Sequence, residues 1–119
     1  MQRTQLDEFT NAYFDAALWA GTDDAGNPLD DHYKFEDIDG DSVQAIVAEC
    51  QEFIEIAAHL IEGEESQAGH DFLLTRNGHG AGFWDGDWPK DSGERLTALS
   101  KKYGESSLYV GDDGQLYVY

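Results

Sequence analysis

Residues 69–88 read GHDFLLTRNGHGAGFWDGDW, and how this stretch folds decides the architecture. Phe72-Leu73-Leu74-Thr75 is a short apolar run, Asn77-Gly78 is a turn pair, and Phe83-Trp84 resumes the apolar pattern. Two such runs around Asn-Gly are a hairpin signature, so two short strands are expected here. The glycines then supply the positive φ that a tight loop needs. Phe83, Trp84 and Trp88 are expected to pack on neighbouring helices. Arg76 is expected to pair with Asp71 or Asp85 and so hold the loop.

Upstream the periodicity is helical. Leu6, Phe9, Tyr13, Ala17 and Ala20 share one helical face over residues 6–20, which Phe14, Leu18 and Trp19 widen and Gly21 stops. Residues 21–41 (GTDDAGNPLDDHYKFEDIDGD) carry Gly, Pro, Asn and paired Asp, and read as a loop with one short turn at most. Over 43–62, Val43, Ile46, Val47, Cys50, Phe53, Ile54, Ala57, Leu60 and Ile61 mark one long amphipathic helix. Ser42 or Asp41 suits its N-cap, and Gly63 its end.

Downstream, Asp91-Ser92-Gly93-Glu94 has capping-box spacing for a helix over 92–103, with Leu96, Leu99 and Tyr103 inward. Lys101 and Lys102 fall in its last turn, where they complement the helix dipole, and Gly104 ends it. Residues 107–110 and 115–119 flank Gly111-Asp112-Asp113-Gly114, a second hairpin signal. The expected order is α-α-β-β-α-β-β. This is an α+β fold with two N-terminal helices, a small antiparallel sheet of about four strands and a third helix. The 119 residues suit a single domain, 1–119, with an acidic helical half (1–65) and a Gly/Trp-rich, β-containing half (66–119).

Composition narrows the function. Twenty-five Asp and Glu against seven Lys and Arg give a net charge of −18. Direct binding to nucleic acid or to an anionic membrane is not expected, because both need clustered cations. Hydrophobic residues make up 40 % and aromatics 13 %, enough apolar surface to fold in spite of self-repulsion. No stretch reaches 18 apolar residues, and Met1-Gln2-Arg3-Thr4-Gln5 leads straight into the first amphipathic pattern. Neither a signal peptide nor a membrane span is expected, and residence is expected to be cytoplasmic. The single Cys50 lies in an apolar stripe and reads as a buried structural thiol.

The charge is uneven. Residues 1–65 hold 17 acids against Arg3 and Lys34, a net of −15; residues 66–119 hold eight against five, a net of −3. Asp23, Asp24, Asp30, Asp31, Glu36, Asp37, Asp39 and Asp41 fall in one loop. Glu52 and Glu55 follow as a like-charge i,i+3 pair on a helix without any Lys or Arg. Duplex DNA carries about one charge per 1.7 Å, so 18 charges match about 30 Å of duplex, close to the diameter of a chain this size.

Enzymatic readings of 69–88 fare less well. His79-Gly80-Ala81-Gly82 has the look of an oxyanion loop, but no G-x-S-x-G elbow accompanies it. No Lys-Ser/Thr follows the glycines, as a phosphate loop requires. His70, Asp71, His79 and Asp85 could ligate a metal but lack a ligand spacing, and no cofactor or metal is expected. Glu55, His59 and Glu62 read as a solvated helix face. Asp37-x-Asp39-Gly40-Asp41 misplaces the glycine of a calcium loop and reaches Ala48 where a carboxylate is needed.

The segments FTNAYFDAALWAGTDDAGNPLDDHYKFEDI, GHDFLLTRNGHGAGFWD and LYVGDDGQLYVY together resemble a family of small acidic proteins common in tailed-bacteriophage genomes and on bacterial mobile elements. The resemblance spans most of the chain and carries over no functional residue. It implies provenance: a phage or mobile-element product acting in a bacterial cytoplasm.

The functional expectation is a non-enzymatic counter-defence protein that occupies the basic channel of a host nucleic-acid-binding protein, such as a restriction or CRISPR enzyme. Asp23, Asp24, Asp30, Asp31, Glu36, Asp37, Asp39, Asp41, Glu52 and Glu55 would present phosphate-like charge, and His79, Trp84 and Trp88 would add a specific anchor. The alternatives are an accessory protein that grips a replication, transcription or other host protein through the Gly/Trp hairpin, or a small metal-dependent hydrolase around His70, His79 and Asp85.

Overall fold

The computed structural model describes residues 2–78 and 81–118. Four α-helices and a hairpin follow in order: α1 (Glu8–Ala20), α2 (Gly40–Ile61), α3 (Glu65–Asn77), α4 (Lys90–Lys101), β1 (Leu108–Val110) and β2 (Leu116–Val118). Single 3-10 turns lie at Arg3–Gln5, Leu29–Asp31 and Phe35–Asp37, so the acidic loop holds two turns rather than one.

The expected four-stranded sheet does not form. Residues 72–75 lie inside α3, and 83–84 lie in a turn; among the described residues the one sheet is two-stranded. The physical reason is the burial of α3. Ala68, Gly69 and every residue from Asp71 to Arg76 are buried, so the helix has no polar face over this stretch. A helix enclosed in this way shows no 3.6-residue stripe, and a short apolar run then reads equally as strand. Asn77-Gly78 ends this helix instead of turning a hairpin: Gly78 adopts φ 66°, and its N–H donates to the Leu74 carbonyl. Both roles need the same left-handed backbone.

The packing explains the enclosure. Helix α3 packs most extensively on α1 and also meets α2 and α4. Gly69 faces the Phe9 backbone so closely that a Cβ there would collide with the Phe9 carbonyl oxygen. At the centre Phe53 stacks on Phe72 at 4.2 Å between ring centroids, with Phe9, Tyr13, Phe83 and Tyr103 around them. Cys50 is fully buried beside this cluster, as its place in the apolar stripe predicts.

Element ends are set by specific groups. Asp7 caps α1 by accepting from the Thr10 N–H at 2.8 Å. Asp39, rather than Ser42 or Asp41, caps α2, accepting from the Ser42 N–H at 3.2 Å. Gly63, with φ +83°, follows the end of α2 as expected. Helix α4 starts two residues early because Pro89 takes the N-cap position, leaving the Asp91…Glu94 box unused; it ends at Lys101 rather than 103.

The hairpin follows its turn signal, pairing Leu108 with Val118, Tyr109 with Tyr117 and Val110 with Leu116. It docks on the start of α2. The Asp39 N–H donates to the Leu116 carbonyl at 2.8 Å, and the Val118 N–H to Ser42 Oγ at 3.2 Å.

Gly69→Ala is expected to lower unfolding free energy in urea by about 1–3 kcal/mol, since backbone rather than a mobile side chain must give way.

Candidate functional site

Arg76 does not pair with Asp71 or Asp85. It lies 5 % exposed on α3, and its guanidinium is fully engaged. Nε donates to the Gly104 carbonyl (2.8 Å); Nη1 donates to Tyr13 Oη (3.2 Å) and Glu49 Oε1 (3.0 Å); Nη2 donates to Glu49 Oε2 (3.3 Å) and the Tyr103 carbonyl (3.1 Å). The same cation lies over the rings of Phe72 and Tyr103. Burial is the strongest single influence and works against the charge, but the bonds and charges of Glu49 and Tyr13 together outweigh it and hold the Arg76 pKa above its ordinary value. Burial also pushes the Tyr13 phenol up to about 12, and it raises the Cys50 thiol well beyond its usual range. Neither is a nucleophile near neutral pH. This centre is structural, joining α1, α2 and α3 to the end of α4.

The acidic residues divide into two groups. Asp23 Oδ1 accepts from the N–H groups of Ala25 and Asn27, Asp37 Oδ2 from the Lys34 N–H, and Asp39 caps α2. Glu52 accepts from the Tyr103 hydroxyl at 2.7 Å, so the α2 acids partly fasten α4. These four have local work that accounts for their presence. Asp24, Asp30, Asp31, Glu36, Asp41 and Glu55 are exposed and have no side-chain hydrogen bond or ion pair among the described residues. Lys and Arg pair with carboxylates at two places only in the described chain, Arg3 with Asp15 and Arg76 with Glu49. Lys34 therefore neutralises none of its acidic neighbours.

Residues 81–88 of the Gly/Trp segment form a loop of turns and bends, with no strand among them. The Phe83 N–H donates to Thr75 Oγ1 at 3.0 Å, the Gly82 N–H to Asp85 Oδ2 at 3.3 Å, and Phe83 is buried against Trp88. Trp88 is itself buried, its Nε1–H donating to Asp71 Oδ2 at 2.7 Å. It cannot be a partner anchor. Trp84, expected to pack on a helix, is instead 55 % exposed. His79 lies outside the described residues. His59 and Glu62 are exposed near the end of α2, as a solvated face predicts. Among the described residues no three His, Cys, Asp or Glu side chains converge as metal ligands.

No protein-family model matches the chain, and no curated protein or solved structure is matched by it either. No helix among the described residues is long and apolar enough to cross a membrane.

The structure adds two residues, Trp19 and His70, that stand together on the surface. Trp19, read as part of the buried face of the first helix, is 58 % exposed. At about 100° per residue it stands about 200° from Ala17, so helical geometry carried the signal. His70 lies beside it, the two ring centroids 6.4 Å apart. His70 Nδ1 is 3.3 Å from Asp71 Oδ1, within a buried Asp71 cluster that also takes Gln67 at 3.0 Å.

Arg76→Lys is expected to destabilise the fold by about 2–4 kcal/mol in urea unfolding, because three ammonium donors cannot replace five fixed guanidinium donors and buried acceptors are left unpaired. Glu49→Gln should cost less, as Glu49 is partly exposed.

Proposed function

We propose that this chain is a phage or mobile-element counter-defence protein, non-enzymatic and cytoplasmic in the bacterial host. It inhibits a nucleic-acid-binding enzyme of restriction or CRISPR type by acidic mimicry of the duplex. The observation that supports this reading most is the set of six carboxylates without a partner among the described residues, Asp24, Asp30, Asp31, Glu36, Asp41 and Glu55, none of which is seen there to cap a helix, fix a turn or neutralise a cation. Like charges kept unpaired cost stability, and a basic partner channel is where they gain it back.

The dimensions are consistent with such a role. The longest axis is 43 Å, so a net charge of −18 corresponds to about one charge per 2.4 Å. That density lies between the 1.7 Å of a duplex and the 3.4 Å of one strand. Asp23, Asp37, Asp39 and Glu52 contribute to the field although each also has a structural bond.

Trp84 favours a second reading, an accessory protein gripping a replication, transcription or other host protein through the Gly/Trp loop. An exposed Trp on a loop pinned by Phe83 and Trp88 is a preorganised contact residue.

The experiment captures partners on tagged protein from a bacterial lysate at low salt and elutes them with salt or with competing duplex DNA. Mimicry expects a nucleic-acid enzyme that duplex DNA displaces. Reversal of Asp24, Asp30, Asp31 and Glu36 to Lys changes the net charge from −18 to −10. It should slow association at least about tenfold without destabilising the fold, the unfolding midpoint staying in place or rising as self-repulsion falls. A partner that ignores DNA, survives high salt and is lost with Trp84→Ala would overturn mimicry in favour of the second reading.

A further inference from the structure

One surface groove of about 430 Å³ combines chemistry that the acidic loop alone does not have. Asp15, Ala16, Leu18 and Trp19 of α1, Asp30 of the acidic loop and His70 of α3 line it. Among the described residues Asp30 is exposed with no partner, and Asp15, whose Oδ1 takes Arg3 at 2.7 Å, has no second partner on Oδ2. His70 is held by a buried carboxylate. Asp71, 2 % exposed, takes Trp88 Nε1–H and Gln67 Nε2–H on Oδ2 and faces His70 Nδ1 with Oδ1. With Oδ2 taken by two donors, Asp71 Oδ1 is left to accept from His70 Nδ1–H, which holds the imidazole ring in place beside Trp19. Trp19 adds an indole ring, 58 % exposed, beside that imidazole.

A π face and two carboxylates around one groove fit a flat cation with many N–H donors. We infer that this groove receives an arginine side chain of the basic partner, its guanidinium stacked on Trp19 and donating to Asp30 and Asp15. Arginine suits it better than lysine, because a planar guanidinium both stacks and donates in a fork, whereas ammonium is a strongly hydrated point charge. The inference rests on the reading that the acidic surface meets a basic protein. It adds what bulk charge cannot supply, a preference among cations and hence among partners. The groove is also pre-formed: the Asp71–Trp88 bond fixes His70 from within the core, so little ordering accompanies binding.

The test uses the intact protein and three short peptides of equal length, one each with arginine, lysine and citrulline at the central position. Binding is followed through the Trp19 indole and His70 imidazole NMR signals. The arginine peptide is expected to shift both signals saturably, to bind at least about threefold more tightly than the lysine peptide, and to lose about three- to tenfold in affinity with Trp19→Ala. Citrulline, of similar shape but uncharged, should leave both signals in place. Equal response to arginine and lysine, or affinity unchanged by Trp19→Ala, overturns the inference. These peptide outcomes do not depend on the host partner. Loss of partner binding on loop-charge reversal, with Trp19→Ala harmless in both assays, would discard the groove and leave the acidic-mimic reading standing. Arginine-selective peptide binding without a DNA-displaced partner would discard mimicry and leave the groove.

Discussion

The five hydrogen bonds of the Arg76 guanidinium are the constraint on which the other parts depend. One cation on α3 gathers a phenol from α1, a carboxylate from α2 and two carbonyls beyond the end of α4. A buried guanidinium is tolerable only when all its donors are met, so none of these elements can shift independently. The carbonyls of Tyr103 and Gly104 are fixed by it, and they feed the chain into Ser106, whose N–H donates to Asn77 at 2.7 Å. From there the hairpin is aimed at the start of α2.

That centre also explains which parts of the fold the amino-acid pattern revealed. Helices α1 and α2 each have one buried and one wet face, and their apolar residues recur at helical spacing. The Gly111–Gly114 turn advertises its hairpin for the same local reason. Helix α3 has no such signature because it is enclosed, and its Asn77-Gly78 end is written in the same letters as a hairpin turn. At α4, Pro89 overrode a plausible capping box two residues later, since a fixed φ starts a helix before the box is reached.

The site shows a similar division. Acid content and its asymmetry are properties of composition, so the crowding of carboxylates in 21–41 is legible in the sequence itself. Which of them are occupied was not, because Asp23, Asp37 and Asp39 differ from Asp24 or Asp31 only in the backbone N–H groups they meet. Trp84 and Trp88 are four residues apart in one loop yet have opposite fates, fixed by a single bond from Trp88 to a carboxylate 17 residues earlier. Trp19 and His70 meet only because α1 and α3 touch at Gly69.

The unpaired carboxylates set two responses to ionic strength against each other. Dilute salt leaves their mutual repulsion unscreened, which weakens the folded chain, while the same absence of screening extends their reach toward a positively charged target. Added salt strengthens the fold and shortens that reach to about a Debye length, about 8 Å at physiological ionic strength. Stability and recruitment therefore have their optima at opposite ends of the salt range, and the working compromise lies between them. Arg76, buried and met on every donor, responds to this balance chiefly through the partly exposed Glu49, so the core holds its geometry while the surface field is tuned by the medium.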